Sequence, residues 1–160
     1  MKITTKSGKE TKKFGAKIAK EILKEKKWGK AVVVSLEGDL GAGKTTFTQG
    51  FAEGLGIHEK IQSPTFVILK VYSITPPSPP LVKGRSSKKI GRFSKLIHVD
   101  AYRLRSKDFK ALNWEDFIRD EKNIILVEWG NKIKKILPKN SIRIKFEHGK
   151  NFNQRMIKII

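Results

Sequence analysis

Apolar positions recur every four residues near the start of the chain. Phe14, Ile18 and Ile22 form one stripe, while Lys13, Lys17, Lys20 and Lys24 fall on another face. This is the pattern of an amphipathic helix laid against a sheet. Its start is marked by Ser7-Gly8-Lys9-Glu10, the spacing of a capping box, in which serine and glutamate satisfy open amide groups at a helix N-terminus. Trp28-Gly29 is expected to end it. Residues 31–37 are apolar and β-branched, as a buried strand should be. Two more apolar runs, 96–100 and 123–128, each end in an acid. Residues 66–72 suit a further strand and 114–120 a short amphipathic helix. After a turn at Leu137-Pro138, residues 141–146 and 155–160 suit closing strands. Residues 74–95 break every pattern, with Pro76, Pro77, Pro79 and Pro80 followed by a Lys-, Gly- and Ser-rich run. They are expected to form a loop insertion with no means of burying a core.

Between the strand at 31–37 and a helix expected to run to Leu55 lies Gly38-Asp39-Leu40-Gly41-Ala42-Gly43-Lys44-Thr45. It satisfies G-x-x-x-x-G-K-[ST] without a gap, in the strand-to-helix context that separates a phosphate-binding P-loop from a chance match. The glycines let successive backbone N–H groups point inward at phosphate oxygens, and the helix start near Lys44 adds the positive end of its dipole. Lys44 is expected to reach the β- and γ-phosphates, Thr45 to give one ligand to Mg²⁺, and Thr46 to touch the α-phosphate. The expected fold is α/β, a single P-loop NTPase-like domain over residues 1–160 with a central mixed β-sheet flanked by helices.

Composition narrows the setting. The chain of 160 residues has no cysteine, so disulfides and thiolate metal sites are excluded and a reducing cytoplasm is expected. No apolar run approaches the roughly 18 residues of a membrane span, and the N-terminus lacks a signal-peptide core; no membrane association is expected. The formal charge is +20. It is concentrated at 1–30, 83–95 and 131–150, and favours polyanionic partners such as RNA. A solvated, lysine-rich surface accounts for it equally well.

A P-loop needs a carboxylate at the end of a neighbouring strand to hold Mg²⁺ and help position the attacking water. Asp100 and Glu128 both qualify, because parallel strands bring such ends to one sheet edge. Four signatures then stand in one order: 38–46, Ser-Pro-Thr-Phe (63–66), His-Val-Asp-Ala-Tyr-Arg-Leu (98–104) and Val-Glu-Trp-Gly (127–130). Together they resemble the TsaE (YjeE) family, small bacterial ATPases required to make threonylcarbamoyladenosine in tRNA.

The resemblance implies that Thr45 and Glu128 are Mg²⁺ ligands and that Asp100 serves hydrolysis. It makes 63–65, with Thr65 among the catalytic candidates beside Lys44, a switch-like segment near the γ-phosphate. Tyr102 and Arg103 match a loop beside the active site and its partner, and Arg155 matches a C-terminal nucleotide contact. His98 reads as a structural histidine, and Trp129 as packing or nucleotide stacking. The resemblance also implies ATP and Mg²⁺ as cofactors, and docking on TsaB and TsaD to reset that complex. Gly130 departs from the proline common in the family, which should loosen that turn, and 74–95 replaces a short hairpin connection. A small-molecule kinase and a nucleotide-gated RNA-binding module stay open as alternatives. A kinase would need an arginine-rich lid, and the one candidate, 83–95, is mostly lysine.

Overall fold

The computed structural model describes residues 1–25, 29–64, 67–74 and 92–160. Trp28, Thr65, Phe66 and most of the 74–95 insertion therefore lie outside the described residues. Seven strands form one mixed sheet: β1 (Lys2–Thr5), β2 (Val32–Glu37), β3 (Leu69–Ser73), β4 (Lys95–Asp100), β5 (Asn123–Glu128), β6 (Ile142–His148) and β7 (Arg155–Ile159), in the order β1-β7-β6-β2-β5-β4-β3. The inner strands β6, β2, β5 and β4 pair in parallel. Antiparallel β3 closes one side, and β7 with β1 closes the other.

Helix α1 (Gly8–Lys24) starts where the serine predicts: Ser7 accepts a bond from the Glu10 N–H. The returning carboxylate bond goes to Lys6 N at 2.8 Å. Phe14, Ile18 and Ile22 are buried, packing with α2 (Lys44–Gly54) over one sheet face. The two helices meet backbone to backbone. A Cβ on Gly15 would stand 2.3 Å from Phe47 O, and one on Gly50 would stand 2.0 Å from Lys12 O. Phe47 fills the layer beneath, its ring 6.0, 5.9 and 5.5 Å from those of Phe14, Phe51 and Phe146.

The opposite face is covered by a 3-10 segment (Ser106–Leu112), α3 (Trp114–Arg119) and a second 3-10 turn (Gly130–Ile133). Phe109, Trp114 and Ile133 pack there on Val33, Ile97, Val99, Ile125 and Val127. Strand alternation thus sends Val32, Val34 and Leu36 to the helical layer and Val33 to the other. Both inner strands β2 and β5 are buried along their whole length, as a parallel sheet covered on both faces requires.

The structure departs from expectation in several places. Strand β3 begins at Leu69 because Ile68 adopts a left-handed φ of 72°, in a turn closed by bonds from Val67 N and Ile68 N to Pro64 O. The insertion is narrower than 74–95: Lys95 pairs with Ser73 in the β3–β4 ladder, and Ile74 N donates to Ser94 O. Strand β1 was not expected at all. No helix among the described residues is long and apolar enough to cross a membrane.

Candidate active site

Parallel pairing of β2, β5 and β4 brings three chain segments to one sheet edge. Leu36 pairs with Glu128, and Glu128 with Asp100, so both acids stand beside the loop that leaves β2. Gly38 has φ 143°, and a Cβ there would meet Phe146 O at 2.4 Å, so only glycine lets the loop leave the strand in this direction. Gly43, at φ 99°, caps α2 without a side-chain bond, leaving the first amides of the helix open toward the cleft.

The cleft encloses about 340 Å³ and is lined by Gly41, Gly43, Lys44, Thr45, Thr46, Ser63, Asp100, Tyr102, Glu128 and Trp129, with Leu40 at its lip. A larger cleft of about 530 Å³ around Phe109, Trp114 and Ile136 lies in the layer on the other sheet face, and none of the sequence-predicted site residues lines it.

Lys44 is buried, and its Nζ donates to Gly38 O at 2.6 Å and Asp39 O at 2.8 Å. Burial pushes its ammonium below the ordinary lysine range, while Glu128, Asp100 and Asp39 pull the other way. The Trp129 ring lies over it, with Nζ 3.7 Å from the centroid, a cation–π geometry. Trp129 therefore stacks on the lysine, held by a left-handed backbone (φ 63°) and by the Tyr102 ring at 5.0 Å. Tyr102 is half exposed at the rim, not a core aromatic; Arg103 is exposed beside it. At Gly130 the turn is closely packed. Ser35 occupies the space where a Cβ would stand, 2.0 Å from its Oγ, so glycine is what fits.

The two acids have different surroundings. Glu128 Oε2 accepts from Thr45 Oγ1 at 3.0 Å. Its Oε1 lies 3.3 Å from Thr48 Oγ1, which also donates to Lys44 O, and 3.0 Å from His98 Nε2. Asp100 Oδ2 accepts from Ser63 Oγ at 2.7 Å, and Oδ1 accepts from Tyr102 N at 2.8 Å. One carboxylate is thus tied to the loop helix, the other to the segment 63–64 and to its own turn.

Among the described residues no group of three or more His, Asp or Glu could hold a metal ion by itself. The oxygen pair of Thr45 and Glu128 still suits Mg²⁺, which is commonly bound by one or two carboxylates, waters and a substrate's phosphates. Arg155 is brought to the loop as well. Its stem lies 3.6–3.8 Å from the Cβ position of Gly43, and its Nη1 donates to Phe152 O and Gln154 O. Asp39 and Ala42 complete the loop, with Ala42 N donating to Asp39 O at 3.2 Å. Thr48 was not foreseen as part of the site. It lies three residues after Thr45 on one helix face, and that spacing is its signal.

Residues 5–157 match the family described as threonylcarbamoyl adenosine biosynthesis protein TsaE. A relative in Bacillus subtilis, a tRNA threonylcarbamoyladenosine biosynthesis protein TsaE, is 39% identical over 70% of this chain, and the chain spans 59% of that relative's length. The protein of the same name in Treponema pallidum is 33% identical over 90% of this chain and 89% of its own. The crystal structure of YdiB from Bacillus subtilis superposes with a TM-score of 0.67 at 31% identity, covering 99% of this chain and 83% of that one. With a family match over residues 5–157 and relatives 33–39% identical, the protein belongs to the TsaE family.

Proposed function

We propose that this chain is a Mg²⁺-dependent ATPase serving threonylcarbamoyladenosine formation on tRNA, acting on a complex of TsaB and TsaD and hydrolysing ATP to reset it. The observation that carries the reading is the convergence of Lys44, Thr45, Asp100 and Glu128 on one sheet edge, in a cleft of about 340 Å³. The open amides of the 38–43 loop and the start of α2 receive the phosphates. Lys44 adds a positive charge at the transferred phosphoryl group. Thr45 and Glu128 hold Mg²⁺, which neutralises charge on the phosphate oxygens when bound. Asp100, braced by Ser63 and by the Tyr102 amide, orients the attacking water. Among the described residues, those lining the cleft include no arginine of the kind a kinase's lid would supply, and this favours hydrolysis over phosphoryl transfer to a small molecule.

The test is phosphate release from ATP by the purified chain, alone and with a TsaB–TsaD complex with and without tRNA. Stimulation by the complex is expected. Transfer of the γ-phosphate to a small molecule instead of water would favour the kinase alternative. Binding of RNA that depends on nucleotide but proceeds without hydrolysis would favour the RNA-binding alternative.

A further inference from the structure

Histidine 98 has a chemistry that a core position does not require. It is fully buried on β4, where alternation places Leu96, His98 and Asp100 on the sheet face shared by Leu126 and Glu128 of β5. His98 pairs in register with Leu126, yet its ring reaches diagonally to Glu128, with Nε2 3.0 Å from Oε1. An ionised carboxylate only accepts, so Nε2 carries the proton. Nδ1 is buried with no partner among the described residues. An apolar side chain here would avoid leaving that nitrogen unpaired, so the single bond to Glu128 is what the imidazole supplies.

We propose that His98 is a positioning residue that fixes the Glu128 carboxylate for metal binding, an inference that rests on the ATPase reading above. The two carboxylate oxygens are divided. Oε1 is turned inward onto His98 and Thr48, which leaves Oε2 facing Thr45 Oγ1 and the cleft. Thr48 cannot hold Oε1 alone: it lies farther off, at 3.3 Å, and its one proton is shared with Lys44 O. Without the imidazole only the Thr45 and Thr48 hydroxyls restrain the carboxylate about its terminal torsion, which is broad and roughly two-fold, and Oε2 is held less firmly in its aim. Groups behind a metal ligand act in this way, and their loss commonly lowers metal affinity by about 10–100-fold.

The experiment compares His98→Met, which removes the donor, with His98→Gln, whose amide nitrogen reaches the Nε2 position, and His98→Asn, whose amide falls short of it. The concentration of Mn²⁺ that half-saturates the ADP-bound protein is read from the loss of the free-ion electron paramagnetic resonance signal. ADP affinity and the thermal midpoint are measured in EDTA. The expected result is a half-saturating Mn²⁺ concentration raised by about 10–100-fold in the Met and Asn variants, restored by Gln, with unchanged ADP affinity in EDTA. If the Met variant does not fold, the Asn and Gln pair decides, since both keep a polar side chain and differ in reach. Half-saturation unmoved in Met and Asn overturns the proposal, as does equal impairment in Asn and Gln tracking a lowered thermal midpoint. Failure of the wild-type protein to bind Mn²⁺ with ADP overturns the ATPase reading and this inference together.

Discussion

Gly50→Ala is the substitution for which local propensity and packing give opposite signs. Within a helix interior, alanine is favoured over glycine by about 1 kcal/mol, so the isolated α2 sequence predicts stabilisation. In the fold the new Cβ would stand 2.0 Å from Lys12 O and 2.5 Å from its carbonyl carbon. Neither atom can rotate aside, because both belong to the backbone of α1. The helices must part by on the order of an ångström, and the layer holding Phe14, Phe47 and Phe51 opens with them. Overpacking costs about 1–3 kcal/mol where side chains can adjust, and a rigid obstacle places this case at the upper end. Set against the propensity gain, the net loss is about 2 kcal/mol, or a fall of roughly 4–8 °C in thermal midpoint for a chain of this size. Gly8→Ala is the internal control, since its Cβ would meet only Thr46 Cγ2, at an ordinary 3.7 Å. The assay is thermal and urea unfolding of both variants, with ADP affinity measured alongside, because α2 carries Lys44 and Thr45. A Gly50→Ala protein as stable as wild type would refute the close crossing of α1 on α2.

Asp100→Asn should lower turnover by about 10²–10⁴-fold with nearly normal Mg²⁺ dependence, whereas Glu128→Gln should raise the Mg²⁺ concentration needed for half-maximal activity. The reverse pattern in a metal titration would exchange their roles. Lys44→Met should raise the thermal midpoint of the nucleotide-free protein at neutral pH, because burial holds this ammonium below its ordinary value of 10.5. The folded chain then binds the proton less tightly than the unfolded chain, a cost fully present at low pH and relieved as pH rises toward 10.5. The advantage of the variant should shrink over that window, and a variant less stable than wild type at neutral pH would show that the bonds to Gly38 O and Asp39 O outweigh burial.

The features that place the site were legible because they depend on local chemistry. The glycine spacing of 38–43 reflects backbone torsions that other residues resist, and the acids at 100 and 128 each follow four residues of strand-like character. Strand β1 left no such mark. Its residues Lys2–Thr5 are mostly exposed or half-buried, and its place comes from backbone pairing with β7. The 3-10 segment at Ser106–Leu112 buries Phe109 alone and so carries no apolar stripe. His98 could be read as a buried histidine, but its partner lies on another strand, thirty residues away. The stacking of Trp129 on Lys44 likewise follows from a left-handed backbone that a non-glycine residue seldom adopts.

The central claim is that the 38–46 loop binds a nucleoside triphosphate with Mg²⁺ through Lys44. Calorimetric titration of the wild-type and Lys44→Ala proteins with a non-hydrolysable ATP analogue, each with and without Mg²⁺, measures this directly. The account predicts Mg²⁺-strengthened binding by wild type and its loss in a variant whose thermal unfolding remains cooperative. Binding of equal strength in the two proteins, or none in wild type, would contradict it.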